Sequence, residues 1–317
     1  MKKLITLSLF ILSTLLFASC SSNKAYEYGP IYVFDTVVTI VFYEDNCEEH
    51  YKNIKNKINE ISRDTNDFSS NSSNNSIYDL NIKRELELSD TLVELINKSI
   101  NIINESNGYF NPFMGRLTHK WKEAISSKTV LSNDVITSEV EIINSTSVEI
   151  SGNKVKIIGE GNIDLGGIVK GYALEWMRKY LNDNKITKYY IDCGSSSIYI
   201  GDYKTSVAFS NPYGSNYIKV LSLDNMGVAT SNGKHQNVVI DGVRYHHLIN
   251  PKTGYPSNNY DTLSVIGKID NTLLDAYSTA LFSMNETDAI NFCKNKNLDL
   301  LTYSGGETKY YTNVTEW

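Results

Sequence analysis

The sequence has little of what would staple it or clasp a metal through sulfur. Its four cysteines, Cys20, Cys47, Cys193 and Cys293, lie far apart with no CxxC pair. That spacing excludes a disulfide framework and a zinc ribbon or finger, and it predicts isolated thiols. Long basic runs are also missing. The formal net charge is −6, and it becomes −8 once the two positive charges of Lys2 and Lys3 are set aside. A nucleic-acid partner is therefore not expected. There is no GxSxG, and "DCGSSSIY" places serines after a glycine without a base at motif spacing, so a serine hydrolase is not indicated. Proline is scarce as well. Of five prolines, Pro251 and Pro256 both fall in "YHHLINPKTGYP", beside the adjacent pair His246 and His247.

The N-terminus reads as a targeting segment. Lys2 and Lys3 precede "LITLSLFILSTLLFA", and small residues lead to Cys20. A basic start, a short apolar stretch and a small-residue cut site describe a secretory signal. The run is short for a membrane span. A cysteine directly after Ala18-Ser19 resembles a bacterial lipobox, with Cys20 lipidated; plain secretion is the alternative. Residues 1–19 are thus expected to be a lipoprotein signal, 20–30 a tether, and 31–317 the folded part. The expected location is the extracytoplasmic side of the cell membrane, held by the lipid.

Within the domain, "IYVFDTVVTIVFY" (31–43) is rich in β-branched and aromatic residues and predicts a strand. Tyr51, Ile54, Ile58 and Ile61 predict a helix over 46–63, and Leu92, Leu95, Ile96, Ile100 and Ile103 another over about 90–105. "DFSSNSSNNS" (67–76) predicts a polar loop. Strand-like pieces follow near 147–158. Ile168 to Leu181 shows the clearest helical periodicity. Short strands come next ("KYYID", "SIYIG", "TSVAFS", "IKVLSL", "NVVID"), then helices near 271–284 and 286–296. Strands and helices mix without a strict βαβ rhythm, which predicts an α+β fold with mixed or antiparallel sheets and packed helices.

Three stretches could carry chemistry. "GEGNIDLGGIVKGYALEW" (159–176) sets Asp164, Gly166 and Gly167 before the strongest helix, with Lys170 in its first turn. Bare amides at a helix start attract anions, and glycines let a ligand come close; a turn that merely lets helix and strand pack fits equally well. Neither a Walker loop nor GxGxxG is present. "NTLLDAYSTALFSM" places Asp275 and Thr279 one helical turn apart in an apolar helix. A buried carboxylate needs a partner, and a hard cation would serve, though an Asp favouring the helix dipole is the plainer reading. In "YHHLINPKTGYP" one histidine could act on a phosphate or hydroxyl as a general base, or simply be structural. "MGVATSNGKH" (226–235) predicts a small-residue loop just upstream.

In order along the chain, "FDTVVTI", "SNGYFNPFMGRLTHKW", "DLGGIVKGYALE", "GVATSNG…YHHLINPKTGYP" and "LLDAYSTALF" resemble five blocks of the FAD:protein FMN transferase (ApbE) family. Asn111 and Asn250 stand where the family usually has Asp. The resemblance implies a single α+β catalytic domain. It implies binding of FAD with Mg²⁺, and transfer of FMN to a Ser or Thr of an acceptor flavoprotein with release of AMP. Asp275, Thr279 and the carbonyl of Gly167 match metal positions. Phe34, Phe110, Asn111, Pro112, Asp164 and Lys170 match flavin-nucleotide contacts. His247 matches a loop histidine, and is the candidate proton acceptor. The acceptor expected is a membrane or surface redox protein.

Two departures bear on that reading. Gly194-Ser195-Ser196-Ser197 replaces a GG(D/N) element, and Asn71 falls near the place of a flavin-stacking aromatic. Looser stacking points to an alternative, an FAD pyrophosphatase giving FMN and AMP. A non-catalytic flavin-binding lipoprotein is the third reading.

Overall fold

A computed structural model describes residues 24–69, 75–234 and 236–312. The expected signal segment, Cys20 and Asn71 lie outside the described residues. Strands β1 (Tyr26–Val33) and β2 (Thr36–Phe42) form an antiparallel hairpin. The single strand expected over 31–43 is therefore two. Phe34 and Asp35 reverse the chain with φ of 53° and 55°, a left-handed pair that suits a two-residue hairpin. No glycine or asparagine announces the turn, so the run reads as continuous. The expected tether to residue 30 is also shorter, because Tyr26–Tyr28 already pair with Phe42–Ile40.

Helix α1 (Glu48–Asp64) buries Ile54, Ile58 and Ile61. Helix α2 (Ile77–Lys83) is only seven residues long, too short to show a period. It starts at a capping box in which Ser76 and Asp79 satisfy each other's backbone N–H groups. After β3 (Glu85–Glu87), α3 (Asp90–Glu105) buries Leu92, Leu95, Ile96 and Ile102, capped by Ser89. Helices α4 (Gly115–Ser127) and α5 (Asn133–Ser145) were not expected from periodicity. Strands β4 (Ser147–Ser151) and β5 (Lys154–Ile158) complete a small sheet with β3.

The site-bearing half follows. It comprises α6 (Val169–Asp183), β6 (Tyr189–Cys193), β7 (Ser197–Ile200), the hairpin β8 (Thr205–Ser210) and β9 (Tyr217–Leu223), and β10 (Met226–Asn232). Then come the hairpin β11 (Asn237–Ile240) and β12 (Val243–His246), β13 (Thr262–Gly267), α7 (Asn271–Phe282), α8 (Glu286–Lys296), β14 (Asp299–Ser304) and β15 (Glu307–Tyr311). Met226–Asn232 is a central strand, not the expected loop. Gly227, Ala229 and Ser231 alternate onto the α7 side, where Ser231 meets Ser278, while Val228 faces the other core.

The main sheet runs β1-β2-β6-β7-β10-β13-β14-β15, every neighbouring pair antiparallel. Alternation sorts its residues between two cores. Val228 and Ile266 pack under the β8–β9 hairpin, while Ala229 and Val265 face the helical side. The fold is α+β, and the described cysteines are isolated, buried thiols. Among the described residues no helix is long and apolar enough to cross a membrane.

Candidate functional site

The site lies where the first turn of α6 crosses α7. Asp275, in the second turn of α7, is buried at 3 % exposure. Its Oδ2 accepts the Gly171 N–H at 2.9 Å, and its Oδ1 accepts the Ser197 hydroxyl at 3.3 Å. The Lys170 ammonium stands 3.8 Å from Oδ2. Burial pushes the Asp275 carboxyl above the usual carboxylate range; Lys170 and these two hydrogen bonds pull the other way. One turn on, the Thr279 hydroxyl lies 3.3 Å from the Gly167 carbonyl oxygen and 3.2 Å from the Asp275 carbonyl. A carboxylate, a hydroxyl and a carbonyl thus converge from two helix segments.

Glycine makes the approach possible. A Cβ on Gly171 would stand 2.2 Å from the Asn271 carbonyl oxygen and 2.5 Å from the Asp275 Cβ. A Cβ on Gly227 of β10 would stand 2.2 Å from Asn271 Oδ1. The α6 backbone therefore packs directly on the start of α7, and Gly227 leaves room for the Asn271 and Leu274 side chains against the sheet.

The other expected residues form a connected rim. Phe110 lies against Gly167, its Cε2 being 3.3 Å from where a Gly167 Cβ would be. The Phe110 N–H is held by Ser106 Oγ at 3.0 Å, and Asn111 Oδ1 accepts the Phe113 N–H at 2.9 Å. The Pro112 carbonyl accepts the Asp164 N–H at 2.8 Å, while Asp164 Oδ1 accepts the Gly166 N–H at 2.7 Å. Lys170 Nζ donates to the Gly166 carbonyl at 3.3 Å. Phe34 sits in the β1–β2 turn, its N–H bonded to Ser62 Oγ at 3.1 Å, in a cleft of about 420 Å³. That turn meets the β6–β7 turn closely, since a Cβ on Gly194 would lie 1.8 Å from Thr36 Oγ1. The same β6–β7 turn delivers Ser197 to Asp275. Ser195, where the family resemblance suggests glycine, takes φ 60° and is held by Asp192 Oδ1, which accepts its N–H at 2.5 Å.

The two histidines part company. His246 is buried, with Nε2 at 2.7 Å from the Ser257 carbonyl and Nδ1 at 3.1 Å from the Leu248 N–H. A carbonyl only accepts and an amide N–H only donates, so the ring is neutral with its proton on Nε2. Burial lowers its pKa to about 4. His246 is therefore the structural member. His247 is half-buried, its ring 6.4 Å from that of His246, at the entrance to the proline-bounded loop. That loop is held rigidly. The Gly254 N–H donates to the Asn250 carbonyl at 2.8 Å, and the Gly254 carbonyl accepts Trp121 Nε1 at 2.8 Å.

Sequence reasoning missed Ser197, Gly171 and Glu175. Ser197 was visible only as a serine after glycine. Also missed was the pair of Asp67 and His119, 2.7 Å apart, with Phe68 stacked on the imidazole. Asp67 lies close enough to Asp164 that the latter's charge, after burial, helps raise its pKa.

A cation would fit the converging oxygens. They are hard donors of the kind Mg²⁺ takes, and among the described residues Lys170 is the counter-charge that stands near the buried Asp275 carboxylate. Among the described residues no group of three or more His, Cys, Asp or Glu side chains could hold a metal. The remaining ligands would come from the hydroxyl, the carbonyl, water and a phosphate-bearing substrate. At the turn before α6 the Gly166, Ile168 and Val169 amides are already bonded, to Asp164 Oδ1 and the Leu165 carbonyl, so the group there that could meet a phosphate is the Lys170 ammonium.

Known proteins share this architecture. The chain is 24 % identical over 209 residues to the FAD:protein FMN transferase of Klebsiella pneumoniae, spanning 60 % of this chain and 65 % of that one. It is 25 % identical over 215 residues to the enzyme of the same name from Treponema pallidum, spanning 61 % and 59 %. The matched segment is thus under two thirds of either relative. The crystal structure of the ApbE protein of Thermotoga maritima superposes with a TM-score of 0.80 at 25 % identity, covering 90 % of this chain and 96 % of that one. The flavin transferase ApbE of Vibrio cholerae shares the fold, with a TM-score of 0.71 at 20 % identity, covering 91 % and 97 %. A model of the ApbE family matches residues 34–302; the chain belongs to the ApbE family.

Proposed function

We propose that this chain is a Mg²⁺-dependent transferase that moves FMN from FAD onto a Ser or Thr hydroxyl of an extracytoplasmic acceptor protein, releasing AMP. The observation that carries the reading is the convergence of Asp275, Thr279 and the Gly167 carbonyl beside the first turn of α6. FAD's diphosphate would lie at that turn within reach of the Lys170 ammonium. Bound Mg²⁺ would neutralise charge on the diphosphate as AMP leaves.

The chain's own residues supply position. Phe110 and Phe34 line the flavin side. Asp164, fixed through Pro112 and Gly166, sets the loop. The acceptor oxygen forms a bond to the FMN phosphorus, and the bridging P–O bond to AMP breaks. The acceptor proton passes to a base, for which His247 on its braced loop is the candidate. Lipidation at Cys20 and placement outside the cytoplasm belong to the same proposal and rest on the N-terminal sequence. Such an anchor would set the enzyme beside membrane or surface redox proteins as acceptors.

The test mixes protein, FAD, Mg²⁺ and a purified acceptor domain. In-gel flavin fluorescence on the acceptor with stoichiometric AMP supports transfer. FMN and AMP in solution with an unlabelled acceptor would make the protein a pyrophosphatase. Intact FAD throughout would make it a binding protein.

A further inference from the structure

Glu175 is a buried carboxylate that the mechanism above does not use. It lies on α6, one turn after Gly171, at 3 % exposure. Its Oε2 accepts the Asn271 N–H at 3.2 Å and the Asn271 Nδ2 at 2.8 Å. Asn271 opens α7, one turn before Asp275. The two helices therefore exchange carboxylates. Asp275 of α7 accepts a first-turn amide of α6, and Glu175 of α6 accepts a first-turn amide of α7. Each satisfies an amide that has no partner within its own helix.

Asn271 shows that the pairing is enforced. Its amide turns Nδ2 to Glu175, while its buried Oδ1 has no hydrogen-bond partner among the described residues. Leaving such an acceptor unsatisfied is costly, so the Glu175 contact outweighs that loss. Glu175 is itself braced from the outer side. Arg178 reaches it with Nη2 at 2.6 Å and Nε at 3.0 Å. The order of contacts, 171 with 275 and 175 with 271, fixes both rotation and slide of α7 against α6. Those two freedoms would carry Asp275 and Thr279 past the Gly167 carbonyl.

We propose that Glu175 is a positioning residue of the cation site, acting through Asn271 and the start of α7. The inference rests on the cation reading of Asp275, Thr279 and Gly167. Groups that orient metal ligands at one remove change metal affinity about 10- to 100-fold when removed.

The experiment titrates Mn²⁺ into the full chain with FAD present and follows the EPR signal of free Mn²⁺. The wild type should deplete the signal saturably and Asp275→Asn should not. Glu175→Ala should raise the Mn²⁺ Kd about tenfold or more. Glu175→Gln, which keeps an acceptor for Asn271, should give a smaller rise and decides the matter if the alanine variant does not fold. Glu139→Gln is the control for stability alone. Glu139 is equally buried at 3 % and is paired with Arg116 on a different helix. It should lower the Tm and leave the Mn²⁺ Kd unchanged. Folded Glu175 variants that bind Mn²⁺ with the wild-type Kd overturn the positioning role while leaving the cation site standing. A wild type that takes up no Mn²⁺ overturns the cation site, and the role of Glu175 with it.

Discussion

The hydroxyl of Ser197 reaches Oδ1 of Asp275 across 3.3 Å, so the buried carboxylate is held from the sheet as well as from α6. Removing that hydroxyl leaves Asp275 held by the Gly171 amide and by Lys170. Ser197→Ala is expected to lower FMN transfer by roughly fivefold, about 1 kcal/mol, the size of one ordinary hydrogen bond, which suits its 3.3 Å length. Measuring transfer against Mg²⁺ concentration should place the loss in the half-saturating Mg²⁺. A variant with unchanged Mg²⁺ dependence would show that the Ser197 bond is incidental.

Asp275→Asn keeps the shape and removes the charge. Transfer should fall by roughly a hundredfold or more, about 2.7 kcal/mol. EDTA should do the same to the wild type, with Mg²⁺ restoring it. Acceptor flavinylation read by in-gel fluorescence checks both, and full activity in the variant would refute the metal role.

Gly171→Ala places a methyl 2.2 Å from a backbone oxygen. Nothing flexible can yield there, so the helices must separate. Overpacking of this kind costs about 1–3 kcal/mol. The Tm should fall by several degrees, and transfer should fall further than Tm alone accounts for. A thermal melt with the wild-type midpoint would mean that the crossing has slack.

His246 gives an acid limit. Its pKa is about 4 in the fold against 6.5 in its absence. The unfolded chain therefore binds the proton first. This contribution is complete above about pH 6.5 and is lost as pH falls towards 4, up to about 3 kcal/mol. Burial raises Asp67, Asp192 and Asp275, and such acids act in the opposite sense. The comparison is therefore with His246→Gln, in chemical denaturation at pH 7 and pH 5. The wild type should lose more stability between the two than the variant. Equal losses would rule the histidine out.

Ser195→Gly relieves a serine at φ 60°. The left-handed conformation costs a non-glycine residue about 1–2 kcal/mol, partly offset by glycine's greater freedom when unfolded. A net gain of about 0.5 kcal/mol is expected in urea denaturation. A loss would mean that the serine side chain matters to the turn.

Much of this was legible in the chain. The helices bearing Ile54, Leu92 and Tyr172 show their period because one face of each is the more buried, whereas the Asp275 helix is buried almost all round and reads as a largely apolar run. Asp275 and Thr279 announced a shared face by spacing alone. What escaped was set by contacts distant in sequence. Nothing near Phe34 marks a reversal, since the turn is fixed by β2 pairing back on β1. The strand of Met226–Asn232 looked like a loop because its small residues answer to α7 behind it. Only the fold could say which histidine of the pair is sealed in, because the Ser257 carbonyl that binds His246 arrives from the far side of the loop. Glu175 looked like an ordinary helical glutamate until Asn271 was placed beside it.

Asn271 is pressed from two sides by bare main chain, Gly171 on one and Gly227 on the other. The gauge of the cleft is therefore set by backbone against backbone at Gly171, while Gly227 leaves just enough room for the Asn271 amide. Substitution can remodel the mouth of such a cleft, where side chains stand, but hardly its floor. Divergence among relatives should accordingly collect around the mouth, while the floor keeps a constant width.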